Sequence, residues 1–218
     1  MTTTWAKPPG LPVFPPHVDP AGPCVLAEVL VAMPWRASVA WPSGFEGGIA
    51  HRLDTATSGA LWLADSVDEL AAMRAAFAGG VLRKTYRLLA TTPPAWSERV
   101  CARPIAHDAK HKRRMVVQRH AHTAHRGRWY PAHTAFRSLE GALVEAVITT
   151  GVMHQIRVHA AFEGIPLRGD ALYGGGEPEP GAGAATPFRL HHVGLVGPGW
   201  ATQPVALPDW ANVAGAPR

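Results

Sequence analysis

Residues 51–59 read His51-Arg52-Leu53-Asp54-Thr55-Ala56-Thr57-Ser58-Gly59. Asp54 lies between a cation and a run of hydroxyls, and Gly59 opens the apolar stretch Ala60-Leu61-Trp62-Leu63-Ala64. The pattern suits a carboxylate held at a strand edge or turn, its charge kept by nearby hydrogen-bond donors. A turn with a satisfied aspartate accounts for the same residues, and composition does not separate the two.

A second constellation is Gly151-Val152-Met153-His154-Gln155-Ile156-Arg157-Val158-His159. Arg157 falls in the first turn of a predicted helix, where a positive charge opposes the macrodipole and requires an anionic partner. A guanidinium is the side chain best shaped to fix a carboxylate in a bidentate orientation. Asp54 is an available partner.

These residues need elements to position them. Ser66 followed three residues later by Glu69 makes a capping box, and Val67, Leu70, Met73 and Phe77 recur at helical spacing. The sequence thus predicts a helix from Ser66 to Gly80. Lys84 to Thr91 alternates as a strand does and stops at Pro93-Pro94; Ala142 to Thr149, rich in Val and bounded by Gly141 and Gly151, predicts another. His154 to Phe162 predicts a short helix closed by Gly164 and Pro166. Residues 8–23 hold seven prolines and exclude helix or central strand, which predicts an N-terminal arm over 1–23 ahead of a main domain over 24–218. Gly174 to Pro187 reads as a low-complexity loop. Without a regular βαβ rhythm, an α+β domain around a largely antiparallel sheet is favoured.

The 218 residues, 47% of them hydrophobic, suffice for one sizeable core, and no apolar stretch reaches the roughly 18 to 20 residues of a membrane span. No charged segment leads into a signal-type apolar run, and Cys24 and Cys101 stand far apart, excluding a Cys-built zinc site or disulfide scaffold. A cytoplasmic protein with reduced thiols is the expectation.

The net charge of +5 is unevenly placed. Between Arg99 and Arg137 ten Lys or Arg meet one acid, Asp108, a local charge of +9 that leaves the rest of the chain at −4. Six of the twelve histidines fall there too. Such a block, including Lys112, Arg113 and Arg114, is what a surface facing polyphosphate presents, although solvated basic loops look alike.

The motifs together resemble the RluA-type pseudouridine synthase family. His51-Arg52-Leu53-Asp54 with Thr57-Ser58-Gly59 matches its H-R-L-D-x-x-T-S-G signature, and Lys84-Thr85-Tyr86 its K-x-Y strand. Pro104-Ile105 is similar to its P-I step, and His154 to His159 to its H-Q-I-R-V-H helix. Gly169-Asp170-Ala171-Leu172-Tyr173-Gly174 resembles its G-D-x-x-Y-G turn and Leu190-His191 its late L-H. The motifs stand in the family's order and cover roughly residues 7 to 208.

The resemblance implies the pseudouridine synthase fold, a largely antiparallel mixed sheet with flanking helices and a central catalytic cleft. It also implies an RNA substrate, ribosomal or transfer, with no cofactor, metal or membrane. In that reaction a uracil base is detached at N1, turned and rejoined to the ribose through C5. Asp54 would be the catalytic aspartate, attacking base or ribose or accepting a proton, with a nearby Arg157 favouring its ionised form. Tyr86 would stack on the uracil or relay the C5 proton. Arg52, Lys84, His154, Gln155, Lys112, Arg113 and Arg114 are the candidate RNA contacts. Everting the base costs a few kcal/mol, for which phosphate contacts by the basic block are a source of compensation.

Three departures from the family pattern stand out. The strand leading into Lys7-Pro8-Pro9-Gly10 is largely missing, Val152-Met153 replaces an Arg-Thr pair, and Thr55-Ala56 replaces a charged pair. They predict altered substrate preference before loss of activity. A non-catalytic RNA-binding protein of the same fold is the alternative. A metal enzyme built on His120, His122 and His125 is disfavoured, since no carboxylate or thiolate completes the set and the surrounding charge repels cations. Oligomeric state is not encoded legibly.

Overall fold

The computed structural model describes residues 3–178 and 187–212. The strands are β1 (Thr3–Lys7), β2 (Ser58–Leu63), β3 (Arg83–Leu89), β4 (Glu98–Cys101), β5 (Ile105–Asp108), β6 (Met115–Val117), β7 (His125–Tyr130), β8 (Thr134–Ser138), β9 (Leu143–Ile148), β10 (Leu190–Gly197) and β11 (Trp200–Ala201). The α-helices are α1 (Val25–Ala32), α2 (Val67–Ala78) and α3 (Gln155–Phe162).

One sheet runs in the order β1-β2-β10-β3-β9-β8-β4, with β11 paired to β10; a smaller one runs β6-β5-β7. Every pairing is antiparallel except that of β10 with β2. The fold is therefore α+β around a largely antiparallel sheet.

β2 is buried along its whole length. Leu61 and Leu63 enter the main core with Val29, Leu88 and Ile156, while Trp62 and the flanking Ala64 enter a second core with Leu70, Met73 and Leu195. The period-two alternation of a strand thus divides one apolar run between two sides of the sheet. α2 covers the second core. Its start follows the capping signal with a shift: Ser66 Oγ accepts the Glu69 N–H at 3.1 Å, but the Glu69 carboxylate takes the N–H of Asp65 rather than that of Ser66.

The strand expected to be largely missing ahead of Lys7 is present. β1 pairs with β2 from Thr3 opposite Leu63 to Lys7 opposite Gly59, because five residues suffice to cover the open edge of β2. The proline-rich stretch that follows has no regular structure apart from α1 beyond it, yet Val13 is buried in the main core. Thr3 to Lys7 are thus built into the sheet and Val13 into the core, while residues 17–21 are exposed. The helix α1 was not legible, since Val25-Leu26-Ala27-Glu28-Val29-Leu30-Val31-Ala32 is apolar without clear periodicity, and only Val25 and Val29 are buried. Of the low-complexity loop, residues 179–186 lie outside the described residues.

Gly59 adopts φ +121° where β2 meets β10, and a Cβ there would overlap the carbonyl oxygen of His192 in the paired strand. The signature glycine is thus needed for close strand approach, not for chemistry. Gly59→Ala is expected to lower unfolding stability by about 2–4 kcal/mol, combining overpacking with backbone strain. A urea midpoint equal to that of the parent would show that the strands separate at no cost.

Candidate active site

A cleft of about 480 Å³ opens beside the sheet, lined among others by His51, Arg52, Asp54, Lys84, Tyr86, His154, Gln155 and Arg157. This volume lies within the roughly 300–1,000 Å³ of small-molecule sites. Three elements converge on it: the loop that enters β2, the middle of β3 and the start of α3.

Asp54 sits on the loop, its side chain 35% exposed to the cleft. The loop is closed by the Thr57 N–H on the Asp54 carbonyl at 2.9 Å and held from behind by Lys7. The Lys7 ammonium is buried and donates to the carbonyls of Pro8, Thr55 and Thr57 at 2.9, 2.9 and 2.6 Å. Burial lowers its pKa to about 8, against the favourable field of Asp54. Three carbonyls converging on one ammonium fix the backbone that carries the carboxylate. Sequence reading treated Lys7 only as part of a motif; its role shows once the loop is seen to fold over it.

Arg157 was expected to take Asp54 as its anionic partner. Its bidentate partner is Asp170 instead, with Nε–Oδ2 at 2.7 Å and Nη2–Oδ1 at 2.8 Å. Its remaining arm, Nη1, lies 3.7 Å from Asp54 Oδ2, an ion-pair distance but too long for a direct hydrogen bond. The guanidinium carbon is 4.3 Å from the Phe188 ring centroid and 5.0 Å from that of Tyr173. Burial works against the charge, the Asp170 carboxylate outweighs it, and the pKa of Arg157 is held above its ordinary value. Asp170 comes from a turn a dozen residues downstream, a proximity that helical spacing could not reveal.

His154 is the one described non-glycine residue with positive φ, at 55°, and it begins α3. Its Nδ1 is 2.9 Å from the Tyr173 hydroxyl, and its Nε2 is 3.9 Å from Asp54 Oδ2. The same hydroxyl accepts the Met115 N–H at 2.9 Å, so Tyr173 ties the start of α3 to β6. Burial lowers the pKa of His154, opposed by Asp54, and keeps the ring neutral at pH 7. Burial also pushes the Tyr173 phenol up to about 12.

Tyr86 is buried in mid-strand with its ring 4.6 Å from that of His192, the planes 35° apart. Burial, with Asp54 adding to it, raises its phenol above the ordinary value, so it stays protonated. His51 accepts the Trp62 N–H at 3.1 Å and is held neutral by burial, so it braces β2. Lys84 is also buried, its pKa lowered to about 8 by desolvation, with Nζ 5.5 Å from the Phe77 ring. Arg52 is exposed at the rim.

Gln155, expected among the RNA contacts, has its amide fully engaged within the fold. Oε1 accepts from Thr150 Oγ1 and the Val152 N–H, and Nε2 donates to the His133 carbonyl and Thr134 Oγ1. It orders the loop before α3 because a buried amide must satisfy all its groups. Lys112 and Arg113 lie outside the cleft, exposed on the turn joining β5 to β6, whereas Arg114 brings its guanidinium carbon 5.8 Å from the Tyr173 ring. The turn therefore adjoins the site through Tyr173 and Met115.

The chain belongs to the RNA pseudouridylate synthase family, whose model matches residues 2–162. It is 37% identical over 131 residues to "RNA pseudouridine synthase 2, chloroplastic" of Oryza sativa, covering 59% of this chain and 29% of that protein. It is 30% identical over 178 residues to "Ribosomal large subunit pseudouridine synthase D" of Nitrosomonas europaea, covering 80% of this chain and 47% of the relative. The RluA-type resemblance is thereby borne out. The chain spans half or less of the length of the curated relatives described. Its fold is similar to that of human RNA pseudouridylate synthase domain containing 4, with a TM-score of 0.67 at 24% identity over 96% of this chain and 87% of the other.

Asp170→Asn removes the charge that holds Arg157. Breaking a buried ion pair at one partner costs about 3–5 kcal/mol, so a marked fall in thermal midpoint is expected. Asp170→Asn combined with Arg157→Met should recover part of the loss; a double variant no more stable than the single would show that the two do not act as a pair.

Proposed function

We propose that this chain isomerises uridine to pseudouridine in RNA, with Asp54 as the catalytic residue. The observation that carries the reading is a part-exposed carboxylate in a nucleotide-sized cleft, 3.7 Å from an arginine whose other two guanidinium nitrogens are already committed to Asp170. Such an arginine stabilises the ionised aspartate without capturing it. The carboxylate remains free to attack the base or ribose, or to accept a proton.

Tyr86, inside the cleft and protonated, supplies a face for the uracil and a hydroxyl near the C5 proton. His154 sets its Nε2 3.9 Å from the carboxylate, and Lys84 adds positive charge for a phosphate or a uracil carbonyl. The isomerisation exchanges one glycosidic bond for another and leaves no redox change to balance. Arg52 at the rim and Lys112, Arg113 and Arg114 on the adjoining turn hold the flanking phosphates. Ribosomal RNA is favoured over transfer RNA by the titles of the Zymomonas mobilis and Nitrosomonas europaea relatives. Two free, buried cysteines suit a reducing, cytoplasmic setting.

RNA carrying tritium at uridine C5 tests the assignment. The parent should release tritium, and Asp54→Asn should slow release by at least a thousandfold while still binding RNA. Binding with no release from ribosomal or transfer RNA would favour the non-catalytic alternative.

Charge reversal at Lys112 and Arg113 should weaken RNA binding and flatten its dependence on salt, with thermal stability unchanged. An unaltered salt slope would remove the turn from the interface.

Lys84 yields a pH prediction. Its folded pKa of about 8 lies below the 10.5 of a free lysine, so it is charged at pH 7 and loses that charge as pH passes 8. Activity should fall along an alkaline limb near pH 8, and Lys84→Arg, which does not titrate there, should shift the limb upward. The folded state also binds fewer protons than the unfolded chain between about 8 and 10.5, so the burial cost of Lys84 is relieved as pH rises through that window. A limb identical in the variant would show that another group titrates.

A further inference from the structure

We infer that β7 forms a stacking platform for an unpaired base of the RNA that carries the modified uridine. The inference rests on the RNA reading above and extends it to a surface outside the cleft.

β7, His125-Arg126-Gly127-Arg128-Trp129-Tyr130, is the edge of the small sheet, and among the described residues it pairs with β5 alone. Its register is broken. Ile105 pairs with Tyr130 and His107 with Arg126, so Ala106 alone on β5 faces Gly127, Arg128 and Trp129 on β7. Gly127 at φ +70° permits the bend. A bulge of this kind lifts side chains off the ladder and re-aims them.

Trp129 in the bulge and Tyr130, the paired residue beside it, both lie outside the hydrophobic cores and their margins, and both are only half-buried. Each is ordered by a local partner: Trp129 lies 4.3 Å from the His125 ring, with planes 34° apart, and the Arg128 guanidinium sits 4.8 Å from the Tyr130 ring centroid. Arg126 is tied down by Nε donating to the Asp108 carbonyl at 2.7 Å.

Aromatic rings held by basic neighbours, on an irregular edge within a segment of charge +9, match the chemistry of single-stranded nucleic acid. Rings accept a base face, and arginines accept the phosphates on either side. A protein partner would find few apolar contacts here and an excess of like charge. The small sheet adjoins the site through β6, where Met115 meets Tyr173, and β7 is its opposite edge, two strand spacings or about 10 Å further on, a distance that one or two nucleotides span.

The test uses fluorescein-labelled oligo(A) of twelve nucleotides, alone and annealed to oligo(U), with the parent, Trp129→Ala and Trp129→Phe. Trp129→Ala should weaken single-strand binding about tenfold, the effect of one lost base stack, with an unchanged salt slope and a much smaller effect on the duplex. Trp129→Phe should restore most of the affinity. Equal losses on single strand and duplex, no loss for Trp129→Ala, or no RNA binding by the parent would each overturn the platform. A parent that binds with this pattern yet releases no tritium would refute the catalytic reading alone.

Discussion

A guanidinium buried between two aromatic rings remains tolerable only when a carboxylate meets it, and at the heart of this molecule that carboxylate is Asp170. Its two oxygens engage two of the three guanidinium nitrogens of Arg157 and leave the third, Nη1, toward Asp54. The geometry solves an otherwise contradictory requirement. The catalytic candidate needs a cation nearby to stay ionised, and it also needs not to be neutralised by a tight pair. Dividing the arginine between two carboxylates, one buried and one facing the cleft, meets both conditions.

The surrounding structure serves that division. Lys7 holds the loop of Asp54 from behind by three carbonyls, Gln155 orders the approach to α3, and Tyr173 orients His154. Each is a buried polar side chain with its hydrogen-bonding capacity largely used inside the protein, so each rigidifies rather than reacts. Tyr173 also accepts the Met115 N–H of β6, which joins the small basic sheet to the residue that contacts His154.

Local patterns in the sequence foretold local structure. The Ser66 cap, the alternation after Lys84 and the glycines around residues 142–149 led directly to α2, β3 and β9. The pairing of Arg157 with Asp170 was not legible, because both Asp54 and Asp170 were chemically eligible and only tertiary structure measures the distance. Gln155 illustrates the converse: a polar residue beside the site suggested a contact with substrate, whereas burial committed its amide to the fold. The short strand β1 also escaped notice, since five residues before a proline-rich run carry little periodicity and are ordered by the open edge they cover. The aromatic residues of β7 lay within a charge block where bulk composition obscured them, and the register slip that exposes them is invisible in one dimension.

The parallel pairing of β10 with β2 has a consequence for how the chain is made. β10 lies between β2 and β3 in the sheet, although it is synthesised more than a hundred residues after them. Until the ribosome has released residues 190–197, β1-β2 and the block from β3 to β4 are two half-sheets with raw inner edges facing a gap. The last long strand to emerge is the keystone, and the nascent protein must keep those edges from foreign partners until it arrives.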